Sequence, residues 1–183
     1  MHLILASGSP RRLALLEQLG LSPVVRPADI DETPLPNEMP AAHVERLALE
    51  KGAAVDAEPG DTVISADTIV TIDGALLGKP RDRAHATTML RRLSGRTHQV
   101  MTGVAVRSNG DTTSFVETTS VHFAKLSEDD IAWYVDTGEP FDKAGAYALQ
   151  GRGGAFVIGI EGSYDNVIGL PRHRLRGLVD LNH

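Results

Sequence analysis

The sequence predicts an α/β domain in which helices flank a mixed β-sheet. Segments with a helical spacing of apolar residues alternate with β-rich segments, which is typical of α/β architectures. Hairpin signals at Asp73-Gly74 and at residues 108–111 require antiparallel neighbours, so the sheet cannot be wholly parallel. The chain has 183 residues and a typical domain has roughly 150, so residues 1–183 are predicted to form one domain, either compact or two-lobed.

The first half of the chain opens with a short apolar strand at residues 2–6. Ser9 suits a helix N-cap and Pro10 the first helical position, and Gly20 is a plausible end for this helix. The remaining elements of this half are a strand, an acidic proline-rich loop, a helix, a long strand and a third helix, at residues 22–26, 27–40, 41–57, 62–72 and 83–93.

The second half carries further strands and helices around a glycine-rich stretch. The predicted elements are β-runs at 97–107 and 112–124, a helix at 128–136, an irregular loop at 137–154, strands at 155–160 and 164–168, and a closing helix at 171–181. Ser127 with Asp130 resembles a capping box for the helix at 128–136. The amphipathic pattern of that helix predicts that Trp133 lies in the core.

Composition excludes several functional classes. The hydrophobic share of 42 % and the charged share of 23 % are ordinary for a globular protein and argue against disorder. With 18 basic and 24 acidic side chains the net charge is −6, which disfavours a nucleic-acid-coating surface. Without cysteine there are no disulfides, thiolate nucleophiles or cysteine zinc sites. With no long apolar run or signal peptide, a soluble cytoplasmic protein without membrane or nucleic-acid partners is predicted.

The segment from Ser7 to Arg12 joins a strand to the start of a helix. Arg11 and Arg12 fall in the first helical turn, where the helix dipole disfavours cations by roughly 0.3–1 kcal/mol each. Helix amides, hydroxyls and guanidinium groups together can bind a polyanion such as a phosphate chain. The alternative is a serine-capped helix whose arginines point to water. The segment lacks the spacing of a P-loop.

Two charged residues interrupt apolar patterns. Lys51 lies on the apolar stripe of the predicted helix 41–57, so it must either extend its amine to solvent or find an anionic partner. Asp67 lies within the apolar strand 62–72, where a metal ion or a cationic phosphate pocket would compensate its charge. The alternative is an aspartate at a strand bulge or edge. Glu32 is either a second oxygen ligand or a solvated loop charge.

Residues 138–151 concentrate an acid, a base, an aromatic residue and glycines in an irregular segment. Such segments commonly line binding sites, and a long flexible connection is the alternative. The seven histidines show no zinc-ligand spacing, so they are predicted to be surface or hydrogen-bonded residues.

These unusual positions fall within separated motifs that occur in a fixed order. The motifs are Leu5-Ala6-Ser7-Gly8-Ser9-Pro10-Arg11-Arg12, Leu47-Ala48 with Lys51, Ser65-Ala66-Asp67-Thr68-Ile69-Val70, Gly78-Lys79-Pro80, Thr102-Gly103-Val104, Gly138-Glu139-Pro140, Asp142-Lys143-Ala144-Gly145-Ala146-Tyr147, Gln150-Gly151 and Gly169-Leu170-Pro171. On these motifs the chain resembles the Maf family of nucleoside triphosphate pyrophosphatases over essentially its whole length.

The resemblance implies a long, curved mixed sheet with two lobes around a central cleft, a divalent cation such as Mg²⁺ or Mn²⁺, and a homodimer. The implied reaction is attack of water on the α-phosphorus of a nucleoside triphosphate, which yields the monophosphate and pyrophosphate. Two alternatives stay open. One is a nucleotide-binding regulator of septum formation or cell division without significant turnover, and the other is a phosphatase that releases orthophosphate.

The resemblance also implies roles for individual residues. Asp67 matches the general base, and Glu32 matches the metal-binding acidic position, with Asp67 as the other predicted metal ligand. The positions that match the phosphate-binding set are Ser7, Arg11, Arg12, Lys51, Lys79 and Lys143. Arg12, Thr68 and Gln150 form the combination associated with dTTP and UTP rather than 7-methyl-GTP.

Overall fold

A computed structural model describes residues 2–179 and has a mixed α/β fold with a seven-stranded sheet. The strands are β1 (Leu3–Leu5), β2 (Val24–Val25), β3 (Thr62–Ile72), β4 (Ala75–Leu77), β5 (Thr97–Ser108), β6 (Asp111–Phe123) and β7 (Val157–Glu161). The α-helices are α1 (Pro10–Glu17), α2 (Pro40–Ala54), α3 (Arg83–Leu93), α4 (Glu128–Asp136), α5 (Tyr164–Ile168) and α6 (Arg172–Leu175). Short 3₁₀ helices cover Glu139–Asp142, Ala144–Ala146 and Arg152–Phe156.

The sheet is mixed, as the hairpin signals predicted. Its strand order is β2-β1-β3-β5-β6-β7, with β4 paired to β3. Strand β1 is parallel to both of its neighbours, whereas β4 is antiparallel to β3 and β7 is antiparallel to β6. The turn at Asp73-Gly74 has positive φ at both residues, as a tight hairpin requires.

The chain divides into two compact units. The first contains the described residues up to Thr68, Thr102–Glu117 and the described residues from Gly169 onward. The second contains Ile69–Met101 and Thr118–Ile168. Strands β3, β5 and β6 each contribute residues to both units. That the two units form one two-lobed domain around a cleft stays a prediction.

Each unit has its own apolar core. In the first unit a small buried cluster contains Ile4, Ala6, Val55 and Val63. The second unit has a larger core that includes Leu90, Leu93, Val121, Phe123, Tyr134 and Phe156. Aromatic rings pack edge to face within that larger core, for example Phe123 against Tyr147 at 4.7 Å between ring centroids.

Two element predictions near the end of the chain are wrong. Residues 164–168 form helix α5 rather than a strand, because Ser163 caps them: its hydroxyl oxygen accepts the backbone N–H of Asn166 at 3.2 Å. The predicted closing helix at 171–181 is limited to Arg172–Leu175 and is followed by turns, and residues 180 and 181 lie outside the described residues.

Smaller differences concern single residues. Ser9 does occupy the N-cap of α1, but its side chain makes no capping hydrogen bond. Trp133 is 50 % exposed rather than buried, because Ile131, Tyr134 and Val135 supply the buried face of α4. The capping box of Ser127 is present in full. None of the helices within residues 2–179 has the length and apolar character needed to cross a membrane.

Candidate active site

Close packing of helix α2 on strand β3 sets the position of Lys51. The Ser65 hydroxyl donates a hydrogen bond to the carbonyl of Ala48 at 2.6 Å. A Cβ atom on Gly52 would lie only 2.7 Å from the Ser65 hydroxyl oxygen, so only glycine allows the helix to approach this closely. Side chains two residues apart share one face of a strand, so Asp67 faces α2 as Ser65 does. Lys51 therefore meets Asp67.

The ammonium group of Lys51 binds two carboxylates. Its Nζ atom lies 2.7 Å from Oδ1 of Asp67 and 2.6 Å from Oε1 of Glu32. The Lys51 and Asp67 side chains are 10 % and 12 % exposed, whereas that of Glu32 is 54 % exposed. Lys51 therefore has anionic partners instead of reaching solvent. Strand β3 is an interior strand of the sheet, so Asp67 is not an edge residue.

The guanidinium group of Arg12 is buried and hydrogen-bonded at all three nitrogens. Nη1 donates to the Ser7 hydroxyl at 2.9 Å, Nε donates to the Gly169 carbonyl at 2.9 Å, and Nη2 donates to the Thr68 hydroxyl at 3.1 Å. The Thr68 hydroxyl is also 2.9 Å from that of Thr102. Arg12 thus points into the protein, which contradicts the alternative in which it faces water.

The strand register explains why these groups meet. Strands β1 and β3 are parallel, with Leu5 opposite Ile64. Ser7 follows the end of β1 and therefore lies beside the part of β3 that carries Asp67 and Thr68. Successive side chains of a strand point to opposite faces. Asp67 therefore contacts Lys51 of α2, whereas Thr68 contacts Arg12 of α1.

The charges in this region influence each other. Burial lowers the pKa of Arg12 below its ordinary value, and the negative charge of Asp67 opposes that shift. Arg11 lowers the pKa of Arg12 as well, and Glu32 raises it. Since arginine stays charged throughout the physiological range, the first unit presents a buried cation close to a buried carboxylate.

Glu32 and Asp67 are the residues of this cluster that could hold a hard divalent cation, because both supply carboxylate oxygens. The two carboxylates converge on the ammonium of Lys51, at 2.6 and 2.7 Å. Within residues 2–179 no group of three or more His, Cys, Asp or Glu side chains could hold a metal. Mg²⁺ is commonly held by one or two carboxylates together with water and substrate phosphates, so two carboxylates are enough for such a site.

Three predicted site residues, Lys79, Lys143 and Gln150, belong to the second unit. Lys79 is exposed in the loop after β4, and Gln150 is exposed in a bend of the chain. Lys143 forms an ion pair with the neighbouring Asp142. Their roles in phosphate binding and base recognition stay predictions.

The glycine-rich loop that carries Gln150 is anchored by Glu139. The Tyr134 hydroxyl donates to Oε1 of Glu139 at 2.8 Å. The backbone N–H groups of Arg152 and Gly153 donate to the two oxygens of the same carboxylate, at 3.0 and 3.1 Å. Burial, and the hydrogen bond to Glu139, raise the pKa of Tyr134 above its ordinary value, so the phenol stays protonated as the donor. This loop is therefore held in place by specific contacts.

Gly169 and Thr102 contact the candidate site although the sequence predicts no role for either residue. Gly169 has φ of +121°, a backbone conformation that other residues rarely adopt, and its carbonyl accepts from Arg12. Thr102 is fully buried and contacts Thr68. Both lie in motifs noted above, and a hydroxyl within an apolar run was the available signal for Thr102. No local pattern pairs Gly169 with Arg12.

Solved structures share this fold. The Ham1 protein of Staphylococcus aureus matches with a TM-score of 0.55 at 19 % sequence identity, covering 98 % of this chain and 100 % of that one. A Ham1 protein from Coxiella burnetii matches with a TM-score of 0.51 at 19 % identity, covering 84 % of this chain and 90 % of that one. At this level of identity the likeness concerns the fold alone.

Sequence relatives are much more similar. A protein of Symbiobacterium thermophilum named dTTP/UTP pyrophosphatase is 55 % identical over 94 % of this chain and 90 % of its own length. Proteins with the same name from Anaeromyxobacter dehalogenans and Neisseria gonorrhoeae are 56 % and 49 % identical, over 93 % and 92 % of this chain and 88 % of each relative. The family model described as Maf-like protein matches residues 2–181. With that match over nearly its full length, the chain belongs to the Maf family.

Proposed function

We propose that this chain is a nucleoside triphosphate pyrophosphatase that hydrolyses dTTP and UTP to the monophosphate and pyrophosphate. Its relatives at 49–56 % identity carry that activity in their names. Membership of the Maf family supports the same reaction class.

The observation that carries the proposal is the cluster of Asp67, Lys51 and Glu32 within the first unit. It places a largely buried carboxylate and a largely buried ammonium 2.7 Å apart, in the unit that also contains the Ser7–Arg12 turn. Hydrolysis of a phosphoanhydride needs cations for the triphosphate and a base for the attacking water, and these groups supply both.

In the proposed reaction Asp67 is the general base. Its Oδ1 atom accepts the Lys51 ammonium, so Oδ2 is the atom that accepts a proton from water. The water oxygen forms a bond to the α-phosphorus, and the bond from that phosphorus to the bridging oxygen of the β-phosphate breaks. Pyrophosphate leaves with the electron pair of that bond. Ser7, Arg11, Arg12 and Lys51 orient the phosphate chain and stabilise the developing negative charge.

The same proposal assigns a divalent cation to Glu32 and Asp67. When bound, such a cation neutralises phosphate charge and lowers the pKa of a coordinated water. We further propose that Lys79 and Lys143 contact the phosphates, that Arg12, Thr68 and Gln150 select dTTP and UTP, and that the protein works as a cytoplasmic homodimer. Light scattering during gel filtration tests the dimer.

The deciding experiment incubates the purified chain with Mg²⁺ and dTTP, UTP, CTP or 7-methyl-GTP and identifies the products. Monophosphate and pyrophosphate from dTTP and UTP are expected. Release of orthophosphate would instead indicate removal of the γ-phosphate. Nucleotide binding without any product would favour the regulatory protein.

A further inference from the structure

The loop that carries Glu32 is fastened to helix α2 by a partly buried ion pair between Glu38 and Arg46. The carboxylate of Glu38 accepts two hydrogen bonds from Arg46, from Nε at 2.6 Å and from Nη2 at 2.9 Å. It also lies 2.9 Å from Nδ1 of His43. The Glu38 side chain is only 7 % exposed, although it belongs to an irregular surface loop. We call Glu38 and Arg46 the loop clamp.

The loop clamp also fixes the backbone directly after Glu32. Nη2 of Arg46 donates to the carbonyl of Thr33 at 3.2 Å, and the N–H of Leu35 donates to Glu38 at 3.0 Å. A forked guanidinium–carboxylate pair defines distance and orientation together, which a single contact does not. Arg46 therefore sets the position of the residue next to Glu32.

Helix α2 carries both Arg46, which holds the loop, and Lys51, which binds Glu32. Arg46 and Lys51 are five residues apart on α2, and Glu32 reaches the second of them at 2.6 Å. The Glu32 side chain is 54 % exposed, so packing alone does not hold it there. One rigid helix thus carries Lys51, which faces Asp67, and Arg46, which holds the loop of Glu32.

We propose that the loop clamp is a positioning device that holds Glu32 where it can bind the divalent cation together with Asp67. The inference rests on the proposed function, and neither Glu38 nor Arg46 needs to touch substrate. Because the clamp already orders the loop, cation binding does not have to order it. Residues that orient metal ligands from outside the coordination shell typically change metal affinity by about 10–100-fold when they are replaced.

The test measures Mn²⁺ binding by electron paramagnetic resonance, with α,β-methylene-UTP present because its scissile bond cannot be hydrolysed. Arg46→Met is expected to weaken Mn²⁺ binding at least about tenfold. At saturating Mn²⁺ its kcat with UTP should stay within about threefold of the unaltered chain, since the clamp acts through Glu32. Arg46→Lys keeps the charge without the fork and should give an intermediate affinity.

Arg91→Met is the matched control, because it removes another forked arginine–carboxylate pair, with Glu128, from the surface of the second unit. Thermal unfolding of each variant verifies that it is folded. A folded Arg46→Met protein that binds Mn²⁺ as tightly as the control would overturn the clamp. If the unaltered chain binds the analogue but no Mn²⁺, Glu32 is not a metal ligand and the proposed role of the loop clamp fails with it. The proposed hydrolysis is tested separately, by measuring pyrophosphate release from UTP.

Discussion

Nζ of Lys51 lies 2.7 Å from Oδ1 of Asp67, and this contact joins helix α2 to strand β3 at the centre of the candidate site. Each of the two residues would be costly to bury alone, and together they compensate each other. The pair therefore accounts for two violations of the apolar pattern with one interaction. It also places a carboxylate directly beside an ammonium group.

Replacing Asp67 by Asn should abolish most of the activity without unfolding the protein. The amide oxygen can still accept from Lys51, but the side chain can no longer take a proton from water. We expect kcat for dTTP to fall at least about a hundredfold, the lower scale of general base contributions. Measuring pyrophosphate release checks this. Asp73→Asn, at the end of the same strand, is the control, and near-normal turnover of the Asp67 variant would remove that residue from the role.

Lys51→Met should destabilise the first unit and make its thermal stability depend on a bound divalent cation. The substitution leaves the largely buried carboxylate of Asp67 without its ammonium partner, which costs about 3–5 kcal/mol for a buried pair. Because a divalent cation can compensate the same carboxylates, Mn²⁺ should raise the melting temperature of this variant more than that of the unaltered chain. Differential scanning calorimetry with EDTA and with Mn²⁺ measures the melting temperatures of the variant and of the unaltered chain. If Mn²⁺ raises the two melting temperatures equally, Glu32 and Asp67 are not its ligands.

Arg12→Ala should mainly weaken nucleotide binding. It removes a cation that the proposed reaction places on the phosphates and takes a donor away from Ser7, Thr68 and Gly169. Hydrogen bonds to charged groups contribute about 1.5–3 kcal/mol, so KM for dTTP should rise at least about tenfold. Steady-state kinetics give KM, with Arg83→Ala at the surface as the control. An unchanged KM would contradict phosphate binding by Arg12.

His98→Gln should make the protein less sensitive to acid. Burial, with a smaller contribution from the charge of His122, lowers the pKa of His98 to about 4, against 6.5 for an ordinary histidine. Between those values the unfolded chain binds a proton that the folded chain does not, so the free energy of unfolding falls as pH falls. We expect the unaltered chain to lose about 2 kcal/mol more than the variant between pH 7.5 and pH 5.

Glutamine suits this test because it does not titrate in that range and can still bond the Tyr147 hydroxyl, which lies 2.8 Å from Nε2 of His98. Urea unfolding at the two pH values gives the difference. Parallel losses in both proteins would show that another group controls the acid response.

Elements with strong local signals were predictable from the sequence. Helix α3 covers the predicted residues 83–93, and the Ser127–Asp130 capping box starts α4 as expected. Residues 164–168 were not predictable, because a five-residue mixture of polar and apolar side chains fits a strand and a short helix equally. Tertiary contacts support the helix that Ser163 caps, since the Asn166 side-chain amide donates to the Val100 carbonyl and to the Thr119 hydroxyl.

The charged residues of the candidate site were predictable from the sequence, but their contacts with one another were not. Lys51 and Asp67 each violate an apolar pattern, so the sequence indicates that both need partners. It does not say that they are each other's partners, because that depends on how closely α2 packs on β3 through Gly52. The loop clamp of Glu38 and Arg46 gave no signal, since both residues look like ordinary surface charges.

The hydrogen bond from Arg12 to the Gly169 carbonyl spans 157 positions of the polypeptide. On the ribosome the surroundings of Arg12 therefore cannot be completed until synthesis has passed Gly169. Translation that stops before Gly169 would yield a fragment in which the guanidinium lacks this acceptor. Arg12 thus reaches its full set of hydrogen-bond partners only when two segments far apart in the sequence have met.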